Sequence, residues 1–403
     1  MAFEKIDFHN SEGHLLSARL ELPCIEPLAY AVFAHCFTCS KDSSAATRIS
    51  KALTHCGIAV CRFDFTGLGG SEGDFANTNF SSNVNDLIDV VEHLSQHFQA
   101  PQLIIGHSLG GAAVLQAAPK MPSIKAVVTI GAPSDVTHVL EHFKLEKEKI
   151  EALGHAEVQL SGRLFTIKKQ FIEDAVQHNI LDPLSSSTKA LLVLHSPTDN
   201  MVSIEHAAKI YQAARHPKSF ITLDNADHLI TKKADAEYVA QIISQWAARY
   251  LKLQFPPMPA LEEHQVFVAS TAKNKFTQRV ATKNHETLAD EPRKLGGDDF
   301  GMNPYEFLLS ALGACTSMTL RMYADRKNIP LTGVEVKLTH QKIHAEDCQE
   351  CENKKGMVDH IKKEIRLKGD LTIEQKNRLL EIADKCPVNR TLLSEVKIKT
   401  ESI

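Results

Sequence analysis

Through the first ~250 residues, short apolar runs alternate with helix-length amphipathic segments, and few folds accept that alternation. The runs Tyr30–His35, Ile58–Asp64, Gln102–Gly106, Ile124–Ile130 and Ala190–His195 are rich in Val, Ile and Leu. Near-continuous apolar runs of this length are what strands covered on both faces need. Ser219–Leu223 is a further strand candidate. Between the runs the spacing predicts helices over Ser43–His55, Asn83–His97, Leu109–Ala118, Ile204–Ala214 and Lys233–Leu251. The expectation is a mostly parallel sheet with crossover helices. The segment Leu16–Leu22 alternates only in part and suits an antiparallel edge strand. Between Ser134 and Ser187 the pattern changes. Val139–Leu153 interleaves glutamate and lysine, which predicts a solvated helix in a small cap inserted between two strands.

At Phe255-Pro256-Pro257-Met258-Pro259, three prolines in four residues end the last of these helices and read as a semi-rigid linker. The expected organisation is a first domain over 1–254, a linker over 255–263 and a second domain over 264–403. That second part reads as α+β. Strand-like runs Gln265–Ser270 and Phe276–Thr282 precede a long helix Pro304–Lys327, with Asn303 as its cap and Pro304 at its first position. Strands Gly333–Ile343 and Asp359–Leu367, a helix Ile373–Lys385 and a last strand Ser394–Lys399 follow.

Composition removes several function classes. A formal charge of −4 gives no basic surface to displace counterions, so no nucleic acid is expected as partner. No stretch reaches the ~18 apolar residues of a membrane span, and Met1-Ala2-Phe3-Glu4-Lys5 lacks an apolar signal core. Nine cysteines, an odd number, point to the reducing cytoplasm, where thiols pack, bind metal or do redox chemistry rather than bridge.

The sharpest motif is Gly106-His107-Ser108-Leu109-Gly110-Gly111, which directly follows one strand candidate and opens a helix. A serine on such a tight turn needs small neighbours. Its hydroxyl also needs a base, and the base an acid to orient it. In the order Ser, Asp, His, the candidates are Asp199 in Ser196-Pro197-Thr198-Asp199-Asn200 and His228 in Asp224-Asn225-Ala226-Asp227-His228, both in loops after strands. His107 and His195 are the rival histidines. An oxyanion hole would take one backbone N–H from Leu109 and a second from His35-Cys36-Phe37-Thr38, where Phe37 is favoured.

With His35-Cys36-Phe37-Thr38-Cys39-Ser40-Lys41-Asp42 and Arg62-Phe63-Asp64-Phe65-Thr66-Gly67-Leu68-Gly69-Gly70-Ser71-Glu72-Gly73, residues 10–252 resemble the α/β-hydrolase-fold esterases. Cys36 stands where many members have glycine. The glycines at 67 and 69 do not make a dinucleotide fingerprint, because position 72 is Glu72. No cofactor is expected. The resemblance implies a small-molecule ester or acyl substrate.

The long helix of the second part carries Leu308, Leu312, Cys315, Met318 or Thr319, and Met322 at helical spacing, which puts Cys315 on a buried stripe. The run Gly296-Gly297-Asp298-Asp299 through Asn303-Pro304-Tyr305-Glu306 to Ala314-Cys315-Thr316, together with Cys386-Pro387-Val388-Asn389-Arg390, resembles the OsmC/Ohr family of organic hydroperoxide reductases over residues 265–402. The resemblance implies Cys315 as the peroxide-attacking thiol, Cys386 as the resolving one, organic hydroperoxides as substrate and an external dithiol as reductant. It also implies a homodimer through this domain. Active members orient an arginine with a glutamate two residues after the helix-opening asparagine. That position is Tyr305, Glu306 is one later, and Arg279 and Arg293 are the candidate cations. The alternative is a domain kept only for dimerisation. His340, His344, Cys348 and Cys351 form a weak candidate for zinc, departing from the usual cysteine-first spacing, so no metal is expected. Cys36-x-x-Cys39 is a weaker one.

Overall fold

In the computed structural model the chain divides into two compact units, Met1–Pro259 and, in the main, residues 260–403. The structure describes all residues except 1, 2, 24, 161, 162, 252, 254–258, 272–274, 345–356 and 403. Residues 255–258 of the expected linker therefore lie outside the described residues.

The first unit is built on an eight-stranded sheet. Its strands are β1 (Phe3–His9), β2 (Leu15–Glu21), β3 (Ala29–Ala34), β4 (Ile58–Phe63), β5 (Leu103–His107), β6 (Ala126–Ile130), β9 (Ala190–His195) and β10 (Lys218–Thr222). The order across the sheet is β1-β2-β4-β3-β5-β6-β9-β10. All neighbours from β4 onward run parallel, as the hydrolase resemblance implies. Each apolar run feeds two cores at once. Along β3, Tyr30, Val32 and Ala34 enter one core while Ala29, Ala31 and Phe33 enter the other. Helices α1 (Ser44–Thr54) and α8 (Lys233–Leu251) cover one face. Helices α2 (Phe80–His97), α3 (Leu109–Ala117) and α7 (Ile204–Ala213) cover the other, with the cap. Helix α2 starts three residues before the expected Asn83. The Asn79 side chain accepts the Ser82 N–H, and the Ser82 hydroxyl accepts that of Asn79.

Two expectations for this unit need correction. The segment Leu15–Glu21 is not the edge strand: it lies between β1 and β4, antiparallel to both. Its alternation is only partial because its second face is also covered, with buried Glu21 held by the fully buried Arg62 of β4. The edge is β1, which buries only Ile6 and Phe8 between charged neighbours. In the cap, a single helix over 139–153 is replaced by a 3-10 stretch Val136–Phe143 and α4 (Lys147–Leu153). Nor is this segment wholly solvated, since Val139, Phe143 and Ile150 enter the core. The cap continues with an antiparallel hairpin of β7 (His155–Leu160) and β8 (Arg163–Lys168), then α5 (Lys169–Gln177) and α6 (Asp182–Ser186).

The second unit has a three-stranded antiparallel sheet of β11 (Phe267–Ser270), β12 (Gln278–Ala281) and β13 (Glu286–Ala289). A long hairpin pairs β14 (Leu331–His344) with β15 (Met357–Gly369). Helix α9 (Pro304–Lys327) packs on β14, and α10 (Ile373–Ala383) and α11 (Pro387–Leu392) pack on α9. Asn303 and Glu306 cap α9 reciprocally, at 2.9 and 2.8 Å. Residues 394–399 are not a strand. They alternate as a strand should, but no described strand pairs with them, and Val396 and Ile398 are exposed. Among the described residues, no helix is long and apolar enough to cross a membrane.

Candidate functional site

Because β3, β5, β6, β9 and β10 run parallel, the loops that follow them share one edge of the sheet. Ser108 occupies the turn from β5 into α3 with φ 55° and ψ −123°, a left-handed backbone that a serine adopts only under constraint. The glycines around it are obligatory. A Cβ on Gly106 would lie 2.3 Å from the Gly110 carbonyl oxygen, and one on Gly110 would lie 2.4 Å from that of His35. The Ser108 N–H donates to the Ile130 carbonyl at 2.9 Å and ties the turn to the neighbouring strand.

Ser108, Asp199 and His228 come together. The Ser108 hydroxyl donates to His228 Nε2 at 3.0 Å, and His228 Nδ1–H donates to Asp199 Oδ2 at 2.7 Å. The other Asp199 oxygen accepts the N–H groups of Met201 and Val202 at 2.8 and 2.9 Å. Burial pushes the Asp199 carboxyl up, but the hydrogen bonds from His228, Val202 and Met201 outweigh it and hold the group below the ordinary value. An ionised acid of this kind fixes the tautomer that leaves Nε2 free to take a proton.

Both rival histidines are structural. His107 Nε2–H donates to the His228 carbonyl at 2.7 Å, and His195 Nε2–H donates to that of Val202 at 2.8 Å. Burial lowers both, His107 to about 4, so each is neutral. These supporting contacts are not legible in the sequence, because each partner is a backbone carbonyl that any residue supplies.

Leu109 is the first residue of α3, so its N–H has no acceptor within the helix. Phe37 is half-buried, and its ring packs between Phe75 and Phe171 at 5.7 and 5.6 Å. Phe165 lies against Phe75 at 4.9 Å. Phe37, Phe75 and Leu109 line one cleft with Asn83 and Leu68. The cap aromatics Phe165 and Phe171 carried no motif by which they could be found.

Cysteines were expected not to bridge. Cys36 and Cys39 form a disulfide with Cα atoms 5.3 Å apart. A tight turn brings the two together, closed by the Cys39 N–H donating to the Cys36 carbonyl at 3.1 Å. Thr38 within it has φ 60°, a left-handed conformation that costs a side-chain-bearing residue about 1–2 kcal/mol. His35 Nδ1–H donates to the same Cys36 carbonyl at 2.8 Å, and burial keeps His35 neutral.

In the second unit, Cys315 and Cys386 come together. Cys386 is fully buried, its Sγ 3.5 Å from the Thr316 hydroxyl and 3.4 Å from the Asn389 N–H. Burial pushes the Cys386 thiol up, yet hydrogen bonds from Thr316, Asn389 and Cys315 bring it below the ordinary value. Cys315 is not on the buried stripe. That stripe is Leu312, Thr316, Leu320 and Ala324, while Cys315 is half-buried and Met318 and Met322 are exposed. The helix is apolar on more than one face, so periodicity alone named the wrong one. Arg279 pairs with Glu286. Tyr305 stacks on the His340 ring at 4.2 Å, and His340 Nε2 lies 2.8 Å from Asp359. Cys348 and Cys351 lie outside the described residues. His344 ends β14. No group of three or more metal ligands occurs among the described residues.

A family profile described as "Serine aminopeptidase, S33" matches residues 26–170, and one for OsmC-like proteins matches residues 296–401. The esterase domain of a Rhodothermus marinus protein is 47% identical. That match covers 62% of this chain and 100% of the domain, with a TM-score of 0.52. Rat mitochondrial palmitoyl-protein thioesterase ABHD10 is 26% identical over 215 residues, 51% of this chain and 70% of that protein. The structure of mouse ABHD10 covers 61% of this chain and 99% of its own at 23% identity and a TM-score of 0.52, a likeness of fold alone.

The neutral histidines make stability fall in acid. Between the ordinary histidine value of 6.5 and about 4, the unfolded chain takes up a proton at residue 107 that the native state refuses. His107 alone should remove roughly 3 kcal/mol across that window, at about 1.4 kcal/mol per pKa unit. Urea unfolding followed by the single tryptophan, Trp246, at pH 7 and pH 4.5 reads this in the first unit. His107→Gln keeps a donor but no titration and should flatten the dependence.

Proposed function

The chain belongs to the α/β-hydrolase esterases and carries an OsmC-like domain behind the hydrolase, and on that premise we propose that it hydrolyses carboxylic esters and thioesters of apolar acyl groups through an acyl-enzyme on Ser108. The observation that carries this is the continuous hydrogen-bonded series Asp199, His228, Ser108 at 2.7 and 3.0 Å. His228 Nε2 takes the Ser108 proton as Oγ attacks the acyl carbon. Asp199 stabilises the imidazolium that results. The N–H groups of Leu109 and Phe37 receive the charge on the acyl oxygen. His228 then hands its proton to the departing alcohol or thiol, and water repeats the attack on the acyl-enzyme. The apolar acyl group is argued from the aromatic side chains Phe37, Phe75, Phe165 and Phe171, which pack on one another at the loop that would supply the Phe37 N–H. A thioester leaving group is drawn from the name of the rat relative.

A second activity belongs to the OsmC-like domain. Cys315 thiolate attacks an organic hydroperoxide, releasing the alcohol and becoming a sulfenic acid. Cys386 displaces water to form a disulfide, and an external dithiol reduces it. The contact between the two thiols favours this. A homodimer through this domain is also proposed. Tyr305, Met318 and Met322 of helix α9 are exposed, and exposed Met302, just before the helix, lines a groove of about 690 Å³ with Leu309, Gly313 and Leu338, which together make a partly apolar surface of the kind association covers.

Ser108→Ala should lower p-nitrophenyl ester turnover by at least ~10³-fold, and Asp199→Asn should also be severe because the tautomer is lost. Near-wild-type rates would remove either residue from the mechanism. For the second domain, one equivalent of cumene hydroperoxide should yield a Cys315–Cys386 disulfide by peptide mass spectrometry, and Cys386→Ser should leave Cys315 to over-oxidise. Persistently reduced thiols in excess peroxide would mean a fold without the chemistry. Light scattering should give a dimer for the full chain at micromolar concentration. A monomer would refute the dimer.

A further inference from the structure

We propose that the Cys36–Cys39 disulfide is a redox site through which dithiol reductants control the oxyanion hole. The proposal rests on the serine-hydrolase reading above and adds a chemistry to its loop. The two sulfurs close a tight turn whose inner residues are Phe37 and Thr38, and Phe37 is the candidate oxyanion donor.

Three observations connect the disulfide to that donor. The peptide joining Cys36 to Phe37 is planar and trans, so fixing its carbonyl fixes the opposite direction of the Phe37 N–H. That carbonyl is held twice, by His35 Nδ1–H at 2.8 Å and by the Cys39 N–H at 3.1 Å. The second of these bonds exists only while Cys39 stays folded back on Cys36. Thr38, buried and β-branched, sits at φ 60° between them. A threonine released from that region swings to negative φ and carries the neighbouring peptides with it. The disulfide is the covalent closure that opposes this release.

The two residues differ in exposure. Cys36 is buried and Cys39 half-buried, so the attack is assigned to Cys39. A thiolate of an external dithiol attacks Cys39 Sγ, the Cys36–Cys39 bond breaks, and Cys36 leaves as a thiolate that takes up a proton. The second thiol of the reductant then displaces the mixed disulfide, freeing the Cys39 thiol. Two electrons and two protons end on the protein, and the reductant leaves as its disulfide. A disulfide oxidant reverses the exchange. Among the other described cysteines of this unit, Cys56 and Cys61 are free thiols.

The test uses the full chain. Alkylation and peptide mass spectrometry score residues 36 and 39 before and after dithiothreitol, and p-nitrophenyl acetate turnover is measured after the reductant is removed. Reduction should lower kcat about 10²-fold, the scale of one lost oxyanion donor, with KM little changed, and oxidised dithiothreitol should restore it. The Cys36→Ser/Cys39→Ser double variant should be low from the outset and insensitive to reductant, although it retains Cys315 and Cys386. Thr38→Gly should cut the loss on reduction to less than tenfold, because glycine holds a positive φ without a clamp. A rescue of that kind is not expected from a bridge that only stabilises the fold. Thiols at both positions in the untreated protein, a disulfide that resists dithiothreitol, or full kcat after complete reduction each overturn the proposal. Turnover that is abolished by Ser108→Ala yet unmoved by reduction overturns this proposal alone. Absence of ester turnover in both redox states overturns the hydrolase reading with it.

Discussion

The left-handed turn at Ser108 is the constraint on which the first unit depends. With φ at 55°, the serine leaves the end of β5 and enters α3 with almost no chain between them. That tight exit folds the start of α3 back on the end of β5 at Gly106 and against β3 at Gly110, so closely that only glycine fits at either. The same close approach puts Leu109 in one cleft with Cys36 and Phe37 of the loop that follows β3. Strain at one residue is repaid by packing on three strands, and the parallel order β3, β5, β6, β9 makes that packing possible.

Around this turn, buried neutral histidines hold backbone rather than substrate. His35 donates to the Cys36 carbonyl, His107 to that of His228, and His195 to that of Val202. Each carbonyl belongs to a site residue or lies beside one. A neutral imidazole suits the task because it offers one donor at fixed geometry without bringing a charge beside Asp199 or Ser108. His228 differs from these three by its partners, an acid on one nitrogen and a hydroxyl on the other.

Legibility followed the length scale of each signal. Buried strands and long helices wrote themselves into periodicity, and Lys233–Leu251 and Pro304–Lys327 were bounded to the residue. Ser108, Asp199 and His228 were readable because side-chain chemistry in a fixed chain order names them. The disulfide was not, because a Cys-x-x-Cys spacing is equally compatible with metal or with two free thiols. Only the turn closed by the Cys39 N–H brings these sulfurs together. The hairpin His155–Lys168 was invisible for a related reason. Its alternation, with Ala156, Val158 and Leu160 inward, is interrupted by charged and polar residues and lies just past the stretch Val139–Leu153 that read as helix.

The misread stripe on α9 shows what periodicity measures. Leu312, Thr316, Leu320 and Ala324 face the small core of the second unit, and Met318 and Met322 face outward. Both rows are helically spaced and both are largely apolar, so spacing cannot rank them. Thr316 ranks low on any hydrophobic scale yet is fully buried, because its hydroxyl donates to the Leu312 carbonyl at 2.8 Å and meets the Cys386 sulfur. A satisfied hydroxyl is cheap to bury, whereas a row of methionines left in water is costly. The inner row of α9 is therefore chosen by the partners its side chains find. Met318 and Met322 of the outer row stay exposed, as do Val396 and Ile398, which no described strand pairs.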